Sequence, residues 1–313
     1  MKVLIPGGSG QVGQVLRRYF ESAGHEVVIL SRSSEDASAV WDDKTLGDWT
    51  QHIDSAEVVI NLAGRTVNCR YTETNLQQMM HSRVESTQVV GKAIQQSPTP
   101  PKLWLQMSTA TIYAHRFDAA NDEATGIIGG EEPDVPKYWN RSIEIAKFWE
   151  QTLEEADTPA TRKVALRTAM VMSPDKDGVF DVLCGLTKRW LGGRIGSGKQ
   201  YLSWVHDTDF CRAIQFLIDN ESMTGAVNIA SPNPLPQAEF QRLLRSALGV
   251  KWGIPAPKWV AEIGAVFMKT DTELVLKSRR VVSGRLTDAG FEFEFPKWSR
   301  AVEDLVARRK ARR

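Results

Sequence analysis

The chain of 313 residues is poor in the residues that hold metals or staple small folds. Its three cysteines, Cys69, Cys184 and Cys211, are odd in number and far apart, which argues against a disulfide framework or a zinc ribbon. The five histidines form no H-E-x-x-H and no C-x-x-C occurs, so no metal site is expected. There is no G-x-S-x-G, which removes the nucleophile elbow of a serine hydrolase. No run approaches the ~18 apolar residues of a spanning helix. The start, Met1-Lys2-Val3-Leu4-Ile5-Pro6-Gly7, is too short in apolar residues for a secretory signal, so a cytoplasmic location with no membrane partner is expected. Charge of one sign is missing too. Lys and Arg number 39 against 38 for Asp and Glu, which gives no electrostatic case for a nucleic-acid partner. Tyrosine is scarce at five.

What is present is an ordinary globular composition, 42% hydrophobic and 25% charged, and an alternation of short apolar runs with helical spacings. Val3-Leu4-Ile5 reads as a buried strand and Val12, Val15, Leu16, Tyr19 and Phe20 keep helical spacing up to Gly24. Strands follow at Val27–Leu30, Val58–Leu62, Leu103–Met107 and Val164–Arg167, with helices over about 75–96 and through Ile143, Ala146 and Trp149. This order predicts an α/β fold, a Rossmann-type doubly wound parallel sheet, with a smaller and mainly helical C-terminal substrate domain. The expected division is 1–173 and 174–313, with later strands near 203–230 returning to the first part. Helices are expected to dominate from Pro255 to a basic end, 307–313, read as a frayed helix terminus.

Gly7-Gly8-Ser9-Gly10-Gln11-Val12-Gly13 lies between the first strand and the first helix. Glycines at this spacing permit a tight turn, close approach of backbone to a pyrophosphate, and close packing of helix on strand, and the helix N-terminus offers free N–H groups to phosphate. Past the second strand stands Leu30-Ser31-Arg32-Ser33. An acid there would bind a ribose 2′-hydroxyl; an arginine can pair with a 2′-phosphate, so NADP(H) is the expected cofactor. A second glycine-rich run, Gly193-Arg194-Ile195-Gly196-Ser197-Gly198-Lys199, imitates a P-loop but is followed by Gln200, which lacks the magnesium-binding hydroxyl.

Together these motifs resemble the extended short-chain dehydrogenase/reductases, the NAD-dependent epimerase/dehydratase family. The further stations are Asn61-Leu62-Ala63-Gly64, Ser108-Thr109-Ala110-Thr111-Ile112-Tyr113, Leu166-Arg167-Thr168 and Ser203-Trp204-Val205-His206-Asp207. Gly196–His206, Ser278-Arg279-Arg280-Val281 and Leu286–Phe291 are similar to an atypical branch, the "epimerase family proteins", with a C-terminal domain of unknown function. The resemblance implies cofactor contacts at Gly7, Gly10, Gln11, Val12, Ser31, Arg32, Leu62, Ala63, Gly64, Arg83, Met107 and Ser108.

The family's chemistry normally uses a tyrosine as acid/base and a lysine four residues later. Four residues after Tyr19, Tyr71, Tyr113, Tyr138 and Tyr201 stand Ala23, Asn75, Phe117, Ser142 and Val205, none of them lysine. Matching Trp149-Glu150 to the family's helix end puts Ser142 and Ala146 in the places of that pair. Thr109 and Tyr113 are left as catalytic candidates, although Thr109 can equally cap a strand end. Asn68, Arg70, Trp204 and His206 are candidates for contact with a small substrate, as solvated loop or packing residues are the alternative. The implied function is an NADP(H)-dependent oxidoreductase or nucleotide-sugar-epimerase-like protein with a substitute proton relay. The alternative is a non-catalytic NADP(H)-binding sensor or partner module. Substrate and oligomeric state stay open.

Overall fold

The computed structural model describes residues 1–33, 37–133, 135–257, 271 and 273–312. In chain order its strands are β1 (Lys2–Pro6), β2 (Glu26–Ser31), β3 (Ala39–Val40), β4 (Val58–Asn61), β5 (Leu103–Thr109), β6 (Arg162–Thr168), β7 (Met170–Met172), β8 (Tyr201–Leu202), β9 (Trp204–His206), β10 (Gly225–Ile229) and β11 (Leu235–Pro236). The described helices are α1 (Gln11–Ser22), α2 (Glu73–Gln96), α3 (Trp139–Glu155), α4 (Val179–Lys188), α5 (Asp207–Asp219), α6 (Gln237–Leu248), α7 (Glu273–Leu276), α8 (Gly284–Asp288) and α9 (Trp298–Ala311).

Seven strands form one sheet in the order β3-β2-β1-β4-β5-β6-β10, every pair parallel. Period-two alternation in β1 shows why it must be covered on both faces. Val3 and Ile5 pack with Val15, Leu16 and Phe20 of α1 and with α5, whereas Leu4 packs with Val89, Val90 and Ile94 of α2. All three are fully buried, each worth roughly 1.5–3 kcal/mol relative to exposure. This is the doubly wound Rossmann-type sheet that the alternation predicts. Strand order reverses between β1 and β4, and in such sheets the ligand crevice lies outside the carboxyl ends of the strands at that point. Helix α2 starts two residues earlier than expected because Thr72 caps it, its hydroxyl accepting the Asn75 N–H at 3.3 Å.

Beyond β6 the architecture changes. β10 joins the sheet beside β6, but β9 pairs with β7 and β8 with β11 outside it, so the segment around 203–206 does not return to the sheet. The C-terminal part is mainly helical and has its own core of Met172, Phe180, Trp204, Phe240, Leu244 and Trp298. Trp298 stacks on Phe240 at 4.1 Å and meets Trp204 edge-on at 5.0 Å. Of the helices expected from Pro255 onward, the stretch 258–270 and residue 272 lie outside the described residues, as does Arg313.

The basic end is not frayed. Arg308 grips Asp207 through two bonds of 2.8 and 2.7 Å, Arg309 pairs with Asp181 at 2.5 Å, and Arg312 pairs with Asp175. Helix α9 is thereby latched to α4, α5 and the loop before α4. The P-loop look-alike leads into the extended β8, and a Cβ on Gly193 would stand 2.0 Å from the Ile254 carbonyl, so that loop is closed by protein.

Candidate functional site

The glycine turn and the end of β4 face each other across the point of reversed strand order. Gly7 has φ +75°, where a side chain is strained, and its Cβ would lie 2.6 Å from Ala63 Cα. Gly13 presses α1 onto the turn: a Cβ there would stand 2.2 Å from the Gly8 carbonyl oxygen. Gly10 differs from both. The nearest atom to its would-be Cβ is 3.9 Å away, which leaves an open cradle over the start of α1. Gln11 sits at that start, and its Nε2 is buried against Gly178, at the start of α4, without a hydrogen-bond partner. An orphan donor and a free helix N-terminus beside an open glycine face fit a diphosphate.

The opposite wall is shaped by Asn61, which closes an otherwise apolar strand. Its amide donates to Gln106 Oε1 on β5 at 3.0 Å, and its Oδ1 accepts the Ala63 N–H at 3.0 Å. Asn61 therefore fixes the Leu62-Ala63-Gly64 turn against Gly7. Sequence reasoning placed the turn but not this wedge; a lone amide at the end of Val58-Val59-Ile60 was the available signal.

At the end of β2, Ser31 donates to Ser9 Oγ at 3.0 Å, tying that strand to the glycine turn. Arg32 next to it is 71% exposed and only loosely held by Asp43, at 3.7 Å. It borders a groove of about 560 Å³ walled by Trp41, Asp48 and Trp49. Asp43 is itself buried, and burial pushes its carboxyl above the usual range. A second cavity of about 570 Å³, near Lys102 and Arg162, opens at the amino ends of the strands, away from the crevice.

A sequence model of the NAD dependent epimerase/dehydratase family matches residues 3–230, and one for a domain of unknown function, DUF1731, matches 256–305. The chain belongs to the NAD dependent epimerase/dehydratase family. It is 29% identical to the human epimerase family protein SDR39U1 over 98% of this chain and 100% of that one. It is 26% identical to the epimerase family protein YfhF of Bacillus subtilis, over 99% of both chains. The crystal structure of human SDR39U1, solved with NADPH, superposes with a TM-score of 0.84 at 28% identity over 98% of this chain and 99% of that one. A UDP-glucose 4-epimerase from Thermus thermophilus shares the fold, at a TM-score of 0.72 and 14% identity over 99% of each chain.

Within this family member the remaining candidates fall into three groups. The first lies at the crevice: Gly7, Gly10, Gln11, Val12, Ser31, Arg32, Leu62, Ala63 and Gly64 surround the turn, with Met107 and Thr109 half-buried at the end of β5. Thr109 Oγ1 accepts the Thr111 N–H at 3.1 Å, so it caps a short 3₁₀ turn while its own proton stays available to donate. Asn68 and Arg70 are exposed on the loop after β4.

The second group is turned inward. Arg83 lies under Gly64, donates to the carbonyls of Met79 and Arg65 at 3.0 and 3.1 Å, and stacks over Trp149 at 4.9 Å. Burial lowers its pKa to about 10, and its work is to hold the loop after β4. Ser108 donates to Glu150 at 2.6 Å. Glu150 also takes a two-pronged bond from Arg167, whose Nη1 donates to the Tyr113 hydroxyl at 3.0 Å. Tyr113 in turn donates to Asn228 at 2.9 Å. Its ring is 2% exposed and burial raises its pKa, so its hydroxyl is committed to a network joining β6, β10 and α3.

The third group is not at the crevice surface. Trp204 is fully buried in the C-terminal core. His206 caps α5, its Nδ1 accepting the Thr208 N–H at 3.2 Å, while Nε2 bonds Asp304 at 3.0 Å and the ring stacks on Phe295. Nearby Asp209 accepts the N–H groups of Glu294 and Phe295 at 2.7 and 2.9 Å. The Trp204–Asp209 block thus docks the C-terminal helix. Among the described residues no three His, Cys, Asp or Glu side chains converge as a metal site, and no helix is long and apolar enough to cross a membrane.

Proposed function

We propose that this protein binds NADP(H) in the crevice between Gly7–Gly13 and Leu62–Gly64 and acts as an oxidoreductase or epimerase-like enzyme on a small substrate. The open face of Gly10 beside the orphan Gln11 amide carries the reading, since it is where a diphosphate can approach backbone donors. Arg32, exposed and loosely paired, supports a 2′-phosphate at the end of β2. The NADPH in the crystal structure of the human relative supports the same cofactor. When bound, the nicotinamide supplies hydride chemistry; the chain supplies binding, orientation and proton handling. The substrate side is reached from the exposed loop of Asn68 and Arg70 and from Thr109, whose hydroxyl proton can go to a substrate oxygen.

Titration of NADPH and NADH into the wild type and Arg32→Ala tests the cofactor assignment. NADPH is expected to bind more tightly than NADH, and Arg32→Ala to weaken NADPH by roughly tenfold or more, about 1.4 kcal/mol, with NADH unchanged. Equal affinities throughout would sink the 2′-phosphate assignment. Single-turnover oxidation of bound NADPH by nucleotide sugars, aldehydes and quinones separates the enzyme from a non-catalytic NADP(H)-binding module. The absence of a tyrosine–lysine pair spaced four apart favours that second reading if every probe is inert.

A further inference from the structure

A cluster of charged side chains lies buried at the carboxyl end of β5, assembled from parts of the chain far apart in sequence. Ser142 on α3 donates to Glu273 Oε2 at 2.5 Å. Glu273 is 0% exposed, and its Oε1 has no close hydrogen bond but lies between the Lys277 ammonium at 3.5 Å and the Arg279 guanidinium at 3.9 Å. Lys277 is 1% exposed and donates to the Thr111 carbonyl at 2.9 Å, directly beyond the end of β5. Arg279 donates to the Thr111 hydroxyl at 3.1 Å. Tyr71, on the loop after β4, interacts electrostatically with Glu273 and Arg279.

A purely structural ion pair explains this arrangement poorly. Burying a carboxylate and an ammonium costs several kcal/mol per ion, and such pairs persist when their remaining lone pairs are satisfied. Here one carboxylate oxygen is faced by two cations, at 3.5 and 3.9 Å, yet closes a short hydrogen bond with neither. The cluster also stands on the side of the sheet where ligands bind, one strand from the point of reversed order. The chain needs a proton carrier from some other pair, because no tyrosine is followed by lysine four residues later.

We propose that Ser142, Glu273 and Lys277 form a proton relay serving an oxygen of the substrate, a hydroxyl or carbonyl, presented at the end of β5. The proposal rests on the reading of the chain as an NADP(H)-dependent enzyme. Toward a hydroxyl, Ser142 Oγ–H passes its proton to Glu273 Oε2 and takes the substrate's proton in exchange. One substrate O–H bond breaks, one glutamic acid O–H bond forms, and no electrons leave the relay. Toward a carbonyl the proton runs the other way, and the Lys277 ammonium balances the charge as Glu273 returns to carboxylate. Among the described residues, Glu273, Arg279, Glu132 and His115 are the charged and titratable groups facing Lys277; burial draws its pKa down to about 8. A proton there is held near working pH.

The test uses the full chain loaded with NADPH. First, the Glu273 carboxyl is followed by ¹³C NMR of [δ-¹³C]glutamate protein from pH 6 to 9, assigned by its loss in Glu273→Gln. A Glu273 signal that moves in Ser142→Ala and in Lys277→Met is expected; a signal that ignores both substitutions overturns the relay. Second, single-turnover NADPH oxidation is measured with the same panel of nucleotide sugars, aldehydes and quinones. Glu273→Gln and Lys277→Met are expected to slow it by roughly 10² or more, with NADPH affinity within about twofold, and Glu273→Asp to recover part of the loss. Lys277→Met should also remove the limb of the pH profile near 8. Rates within about threefold of the wild type, or an unchanged profile, refute the relay. If the wild type fails to bind NADPH, or binds it but turns over no probe, the enzyme reading falls and the NMR result alone decides the proton chemistry.

Discussion

Two glycines three residues apart should respond in opposite ways to the same added methyl group. At Gly13 a Cβ would meet Gly8 O, Cα and C at 2.2, 2.4 and 2.5 Å. All three are backbone atoms, so no side chain can swing aside and α1 must lift off the turn by about 1 Å. Overpacking of this kind costs roughly 1–3 kcal/mol, here toward the upper end, against up to ~1 kcal/mol gained from alanine's helix propensity. Gly13→Ala is therefore expected to lose about 2 kcal/mol, or ~3 °C in Tm for a chain of this size. At Gly10 φ is −73°, which any residue adopts, and the nearest atom is 3.9 Å away. The lost preference for glycine at the N-cap and the reduced freedom of the unfolded chain roughly cancel, so Gly10→Ala should change stability by less than about 0.5 kcal/mol. Its methyl would nevertheless stand on the open face where a diphosphate approaches α1, so NADPH affinity should fall about 10–30-fold, about 1.4–2 kcal/mol. Thermal denaturation and NADPH fluorescence titration of both variants decide the matter. A Gly10→Ala protein that binds NADPH like the wild type would show that the turn is not the phosphate cradle. A Gly13→Ala protein of wild-type stability would refute the packing argument.

Three further outcomes follow from the C-terminal part and its junction with the sheet. Asp209→Ala leaves the Glu294 and Phe295 N–H groups without acceptors, and should cost about 2–4 kcal/mol in urea denaturation and expose the segment after 290 to limited proteolysis; an unchanged midpoint would contradict the docking role. Burial holds His206 below its ordinary 6.5, so as pH falls below about 6.5 the unfolded chain takes up a proton that the native protein refuses. Stability is then full above that pH and declines below it, and His206→Asn should flatten the decline between pH 7.5 and 5.5. Lys277 is depressed from 10.5 to about 8, so between those values the native state has lost a proton the unfolded chain still holds. Its contribution rises with pH across that window, and denaturant midpoints at pH 7.5 and 9.5 should differ by less in Lys277→Met than in the wild type.

Local patterns carried the sheet. Val3-Leu4-Ile5 must be covered on both faces whatever the rest of the chain does, and the glycine spacing can be read without a partner. Trp204 and His206 misled for the opposite reason. Their neighbours are 94 and more positions away: His206 meets Asp304, Asp207 meets Arg308, and Trp204 meets Trp298. A histidine in a family block looks the same whether it faces a ligand or caps a helix, and only the distant acid separates the two. Arg83 was expected at the cofactor, and the two carbonyl acceptors at 3.0 and 3.1 Å that hold it against the loop after β4 could not be read from spacing.

The same distance rule explains why the relay left no trace in the sequence. Ser142 and Glu273 are 131 positions apart, and α7 has only four residues, too few to hold Glu273 and Lys277 in place by itself. Their placement comes from the chain that follows. Ser278 donates to the Arg116 carbonyl at 2.9 Å and its N–H reaches His115 at 2.7 Å. Beyond it, Asn121 N–H donates to Arg280 at 2.7 Å and Val282 N–H to Asn121 at 3.0 Å. Residues 277–282 are thus zipped along the loop after β5, and the latches at Asp207 and Asp209 secure the helix and the strand-like stretch that come after. The cradle at Gly10 belongs to the first part of the chain, whereas two of the three proton-carrying groups, Glu273 and Lys277, reach β5 from the C-terminal part. A loosened C-terminal part should for that reason cost proton transfer before it costs NADPH affinity, an order that distinguishes this division of labour from a C-terminal domain that merely stabilises the sheet.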